Sequence, residues 1–231
     1  MRWAEHDPLE QWLYRVLLLD AQEPVINNIH DFSNAIFEKT IFEKSVFERI
    51  EQDSLAKNPA LLADVYGLLR SAHYRTTPDD LRFLLDAPAL SLYRLAVDAQ
   101  TIAVALVVEE GSMDDAMAVE IAAGRRRPRG HLLVQTLAVH EQQAQYLQQR
   151  VARVVRIAVH TQLQGRGLGS QLLQAIVADQ QSRGMHAIGS SFSATPEVLA
   201  FWQRNGFALV RVGHKRQAAS AAPSALVLRP L

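Results

Sequence analysis

The 231-residue chain carries 24 basic and 24 acidic side chains, so its formal charge is zero, and 48% of its residues are apolar. That is enough apolar surface to bury a globular core, but there is no global field to hold the chain on polyphosphate, so any nucleic-acid contact must use local patches. The absence of cysteine excludes disulfides, thiol nucleophiles and thiolate metal sites, and the eight histidines lack ligand spacing, so no metal is expected.

In chain order, Met1-Arg-Trp-Ala-Glu-His-Asp7 lacks the apolar stretch of a signal peptide, and the longest apolar runs elsewhere are broken by charge. The expectation is a cytoplasmic chain with no membrane contact. Residues 8–19 have helical periodicity, with Pro8 in the first turn and Glu23-Pro24 as a terminator. Within residues 32–52, Ile36-Phe-Glu-Lys, Ile41-Phe-Glu-Lys and Val46-Phe-Glu-Arg repeat every five residues. On a helix this spacing spreads apolar side chains round the axis, which predicts burial against another domain or a second copy of the chain.

Asn58-Pro59 opens a helix with apolar residues at 61, 62, 65, 68 and 69, and Thr77-Pro78-Asp79-Asp80 opens another that runs to about Leu85. Residues 90–97 and 101–109, joined by Asp98-Ala99-Gln100, predict an antiparallel hairpin. Gly124-Arg-Arg-Arg-Pro-Arg-Gly-His131 is a loop with four arginines. It reads as a solvated turn or as a local anion contact. A helix near 131–145, a strand at 153–159, a helix to about Arg183, a strand at 186–191, a helix at 196–205 and strands at 207–213 and 223–229 complete an α/β pattern.

The strand before residue 160 runs into Gln164-Gly-Arg-Gly-Leu-Gly-Ser170 and then a helix. Glycines there let backbone N–H groups face an anion, and the helix start adds its positive end. The run lacks the Gly-x-x-x-x-Gly-Lys-Ser/Thr of a nucleotide-triphosphate loop, and it departs from the Gly-x-Gly-x-x-Gly of dinucleotide folds. A different diphosphate is expected.

Gln164-Gly165-Arg166-Gly167-Leu168-Gly169 resembles the acetyl-CoA pyrophosphate loop of the GNAT acetyltransferase superfamily. Phe201-Trp-Gln-Arg-Asn-Gly-Phe207 resembles the helix-to-strand junction of the same superfamily. More narrowly, Ser71-Ala-His-Tyr-Arg-Thr76, Pro78-Asp-Asp-Leu-Arg82, Arg126-Arg-Pro-Arg-Gly-His-Leu132, Arg156-Ile-Ala-Val-His160 and Phe201-Trp-Gln-Arg204 resemble the tRNA(Met) cytidine acetyltransferase family.

That resemblance implies a GNAT acyl-CoA N-acyltransferase fold, α/β with a mixed central sheet flanked by helices. It divides the chain into an N-terminal helical extension, 1–56, resembling the end of a helicase-like domain, and an acetyltransferase domain, 57–231. The family acetylates the exocyclic amine of the wobble cytidine with acetyl-CoA. The resemblance implies an excised or shortened module that lacks the family's helicase-like and C-terminal tRNA-binding domains, with ATP expected only if the helicase-like domain is supplied. Implied partners are tRNA and a helicase-like domain, or self-association through residues 32–52. A stand-alone acetyltransferase acting on a small-molecule or protein amine, and a non-catalytic acetyl-CoA-binding module, are the alternatives.

Carried over by position, the implied acetyl-CoA contacts are Ile157, Ala158 and Val159, then Gln164, Gly165, Arg166, Gly167, Leu168, Gly169 and Ser170, and finally Glu197 and Arg204. Glu197 also reads as an ordinary first-turn helix charge. His160, at the strand end, is the candidate general base, because an unperturbed imidazole can be neutral near neutral pH. It also reads as a strand-end histidine satisfied by local hydrogen bonds. Thr161 replaces the proline that usually follows it in the family. Trp202 stands four residues before Gly206, where related amine acetyltransferases often carry a tyrosine acid, and an indole cannot supply that proton. Arg126, Arg127, Arg129 and His131 are candidate RNA contacts.

Overall fold

The computed structural model describes residues 7–26, 43–72, 77–216 and 222–231. Locally encoded helix starts appear where cap and proline coincide. Asp7 accepts from the amides of Leu9 and Glu10 ahead of α1 (Pro8–Leu17), and Asn58 accepts from Leu61 ahead of α3 (Pro59–Ser71). Thr77 and Asp80 make a capping box on α4 (Pro78–Asp86). In each case the side-chain oxygen satisfies an amide that has no partner inside the helix.

The strands β1 (Val46–Ile50), β2 (Leu90–Val97), β3 (Gln100–Gly111), β4 (Arg150–Val159), β5 (Ala187–Ser193), β6 (Ala208–Arg216) and β7 (Pro223–Pro230) form a mixed sheet in the order β1-β2-β3-β4-β5-β7-β6. β4 and β5 pair in parallel from Val151 opposite Ala187 to Val154 opposite Ser190, whereas β5 and β6 each pair antiparallel with β7. Asp98 and Ala99 turn the β2–β3 hairpin with φ of 49° and 66°, as a tight hairpin turn requires.

Residues 46–50, expected within a helix over 32–52, are instead a strand paired antiparallel with β2. Phe47 stacks on Tyr93 with ring centroids 5.5 Å apart, and Glu48 accepts from Arg94 Nε at 2.6 Å. Cross-strand partners distant in sequence decide the conformation here, against the five-residue pattern. The rest of the repeat, up to residue 42, and residues 73–76 of the Ser71–Thr76 motif lie outside the described residues.

Two compact units share the chain. The first contains residues 1–105 and 157–172. In it α2 (Gln52–Ala56), α3 and α4 bring Leu55, Val65, Leu68, Leu69 and Leu84 into full burial. The second contains residues 106–156 and 173–231. Its core joins Ile121 of α5 (Asp115–Ala122), Leu133, Val134 and Leu137 of α6 (Leu132–Glu141), and Leu147, Val151, Ala187, Leu226 and Leu228. The helix near 131–145 therefore ends at Glu141, and a single 3-10 turn follows at Ala144–Leu147. The remaining helices are α7 (Leu168–Ser182), which begins in the first unit and ends in the second, and α8 (Pro196–Arg204).

Candidate active site

In the first unit, β4 ends with Ile157, Ala158 and Val159, of which Ala158 is buried. His160 follows, and its amide donates to the Ile102 carbonyl at 2.9 Å. The residue is only 4% exposed. Its Nε2 lies 3.0 Å from the Pro24 carbonyl oxygen, and its Nδ1 lies 3.3 Å from the Gln162 amide nitrogen. A carbonyl only accepts and an amide N–H only donates, so this pattern assigns the neutral Nε2–H tautomer, with the Nδ1 lone pair turned toward Gln162. Both ring nitrogens are engaged.

Glu23 sits beside this ring. Its carboxylate accepts from Ser71 Oγ at 2.7 Å, from the Thr161 hydroxyl and from the Thr161 amide at 3.3 Å, and its Oε2 is 3.7 Å from His160 Nε2. Burial pushes its pKa up, but the hydrogen bonds from Ser71 and Thr161 and the charge of a protonated His160 outweigh that, leaving it below the ordinary glutamate value. The preceding residues rest on α3. Arg70 Nη1 donates to the Ala21 carbonyl at 3.0 Å, and a Cβ added to Gly67 would lie 1.8 Å from the Gln22 carbonyl oxygen.

The glycine loop is pinned at two points by Leu163 and Leu168, each 1% exposed, while Gln164, Gly165 and Gly167 between them face solvent. Gln164 Nε2 donates back to the Val159 carbonyl at 3.1 Å. Gly165 and Gly167 take φ of 77° and 81°, left-handed values that favour glycine. A Cβ at Gly165 would meet nothing within 4 Å, so the loop is open there. α7 closes its first turn with Gln171 N–H on the Gly167 carbonyl at 3.0 Å, so the amides of Leu168 and Gly169 precede the first intrahelical bond. With the Arg166 guanidinium in the same loop, these amides fit a diphosphate. Gly169 and Ser170 lie inside the helix rather than in the turn.

In the second unit, Glu197 lies exposed in the first turn of α8 and Arg204 exposed in its last. Thr195 caps that helix through Val198. Trp202 is 3% exposed, stacked on Phe192 at 5.7 Å and edge-on to Phe201 and Phe207. It is core packing.

The arginine loop also belongs to this unit. Arg125 makes a two-point pair with Glu120. Arg126, Arg127 and Arg129 are exposed, and the first two line a 160 Å³ groove with Gln135, Thr136 and His140. Gln135 Nε2 ties the loop down through the Pro128 carbonyl at 2.7 Å. His131 precedes α6 and accepts the Gly111 amide on Nδ1 at 3.1 Å, which leaves Nε2 for any further contact.

The structure thus joins Ile157–Val159, His160 and the loop through Ser170 in one unit, and it places Glu197, Arg204 and the arginine loop in the other. Sequence reasoning missed Glu23. The one available signal was Gly67, a glycine in the middle of a helix, which marks the close approach of another backbone.

Residues 64–182 match the family model GNAT acetyltransferase 2. The full chain is 42% identical to tRNA(Met) cytidine acetyltransferase TmcA of Nitrosococcus halophilus and 36% identical to that of Haloferax volcanii. It covers 30% and 29% of those proteins, so it spans about a third of the length of the curated relatives it matches. Among solved structures, it resembles the ribosomal-protein-S18-alanine N-acetyltransferase of Escherichia coli, with a TM-score of 0.53, 14% identity, and 80% of this chain and 93% of the other covered. It also resembles a polyamine N-acetyltransferase of Drosophila melanogaster, with a TM-score of 0.54, 17% identity, and 81% and 100% covered. At these identities the likeness shows the fold, which is that of the GNAT acyltransferases. The chain belongs to the GNAT acetyltransferase family.

Proposed function

We propose that this chain is the acetyltransferase module of a tRNA(Met) cytidine acetyltransferase, moving an acetyl group from acetyl-CoA to the exocyclic amine of the wobble cytidine in the cytoplasm. The observation that carries the reading is the 42% identity to a relative of that name over all 231 residues.

Bound acetyl-CoA supplies a thioester whose acyl carbon the amine attacks. The backbone of Ile157–Val159 is suited to the amides of the pantetheine arm and the amides of residues 165–169 to the diphosphate, while Glu197 and Arg204 are proposed as acetyl-CoA contacts on the family resemblance alone. The backbone N–H near Val159 is the natural donor to the oxygen on which charge develops. A cytidine amine is a weak nucleophile because its lone pair is delocalised into the ring, so it must lose a proton as the new bond forms. The C–N bond forms, the C–S bond breaks, His160 takes the proton that the amine sheds, and the leaving thiolate is protonated from solvent, with Trp202 buried among aromatics. The exposed Arg126, Arg127 and Arg129 are proposed as phosphate contacts for the RNA, with His131 Nε2 as a further donor or acceptor. ATP enters only through a helicase-like domain.

The engaged nitrogens of His160 favour a second reading, an acetyl-CoA-binding module that performs no transfer until it joins a larger assembly. Both readings meet one experiment. Labelled acetyl-CoA and methionine tRNA transcript are incubated with the chain, with and without a helicase-like domain and ATP, and the nucleosides are read by mass. Acetylcytidine only in the supplemented mixture identifies the dependent module of the second reading, and acetylcytidine without the added domain supports the proposal. Bound CoA with no acetylcytidine in both mixtures rejects it.

A further inference from the structure

Resting on the reading of His160 as base, we propose that residues 21–24 form a positioning strap for this histidine, with Glu23 as the positioning residue. A strand-end imidazole has two neutral tautomers, and a base must present one particular nitrogen. Here the choice is made by main chain that comes from 136 residues earlier. Glu23 bridges α3 and the turn after β4 by accepting from Ser71 on one side and Thr161 on the other. That grip holds the next carbonyl, of Pro24, 3.0 Å from His160 Nε2. The ring of Pro24 fixes φ at that residue, so the chain that carries this carbonyl has one fewer free rotation between Glu23 and the acceptor oxygen. Gly67 lets the Gln22 carbonyl lie directly on α3, and Arg70 holds the Ala21 carbonyl.

The consequence is specific. With the Nε2–H bond committed to Pro24, the amine proton is received at Nδ1, whose bond to Gln162 is long at 3.3 Å and readily exchanged. Once the ring is an imidazolium, Nε2–H keeps its acceptor, and the Glu23 carboxylate stands 3.7 Å away as a negative charge beside it. The strap orients the ring before the transfer and faces the cation after it.

The test is a nitrogen-15 spectrum of the histidine rings in the full 231-residue chain, with His160→Gln used to assign the signal. In the wild type, Nε2 carries the proton and Nδ1 is bare. Glu23→Ala, and independently Gly67→Ala, shift both nitrogens toward the averaged positions of a ring exchanging tautomers. Glu23→Gln, which keeps an oxygen acceptor for Thr161, restores the wild-type pattern. In the transfer assay, Glu23→Ala lowers kcat by about tenfold to a hundredfold with the acetyl-CoA KM unchanged. An Nδ1–H signal in the wild type overturns the proposal, as does an unaltered ring in Glu23→Ala. If Glu23→Ala fails to unfold cooperatively, Ser71→Ala is read instead; a partial shift supports the strap and no shift rejects it. His160→Ala with undiminished transfer defeats the base assignment alone, because the ring signals report on the strap without any turnover.

Discussion

Two carboxylates do similar work in the two units and differ in the partner each is given. Glu110, on β3, has a fully buried side chain and accepts from the Leu133 and Val134 amides at 2.7 and 3.3 Å and from Arg153 Nε at 2.5 Å. It caps α6 and neutralises a permanent cation. Glu23 has a side chain 17% exposed, accepts two hydroxyls and one amide, and stands beside a ring that is charged only when protonated. A guanidinium partner makes the first site a fixed anchor. An imidazole partner makes the second one responsive, because the proton that the ring gains or loses changes what the carboxylate faces.

The largest expected effect separates the two on stability. Glu110→Ala leaves Arg153 and two helix amides without their acceptor and is expected to cost about 3–5 kcal/mol in denaturant unfolding. Glu23→Ala, nearer to water, is expected to cost only about 1–2 kcal/mol. Equal losses would erase the distinction between anchor and positioner. Gly67→Ala sharpens it from the other side. Its new Cβ must displace the Gln22 carbonyl, at about 1–3 kcal/mol, and hydrogen exchange at the Thr161 amide should accelerate with it while exchange at Leu133 does not.

Acid provides a gentler probe. Because the folded pKa of Glu23 lies below the ordinary value, its contribution is complete above about pH 4.3 and is lost as pH falls through the lower folded value. A lower protection factor at the Thr161 amide, corrected for the intrinsic pH dependence of exchange, is expected in that window and not above it, so a loss of protection at neutral pH would contradict the assignment. The smallest effect belongs to the exposed Arg125–Glu120 pair. Glu120→Gln should leave the unfolding midpoint unchanged, in contrast to Glu110→Ala.

Much of the fold was legible because its signals are local. Asp7-Pro8, Asn58-Pro59 and Thr77-Pro78 each place a cap beside a proline, and the helices begin there. Gly165 and Gly167 announced the turn whose positive φ they supply. What escaped was decided at long range. β1 follows a pattern that suits neither period well, and it becomes a strand through pairing with residues 92–96. α5 starts from the Asp114 cap in a stretch for which no element was expected, and its apolar stripe became a core face only once α6 and β7 supplied the other walls. The environment of His160 was invisible for the same reason, since Glu23 and Ser71 are 48 residues apart and Glu23 and Thr161 are 138 apart.

His160 as the group that takes the amine proton is the central assignment. Acetylcytidine formed on methionine tRNA by the wild type and by His160→Ala should be compared in the mixture that includes the helicase-like domain and ATP, at matched acetyl-CoA occupancy. A fall of about a hundredfold or more with unchanged CoA affinity is predicted. Equal acetylcytidine from both proteins would contradict it.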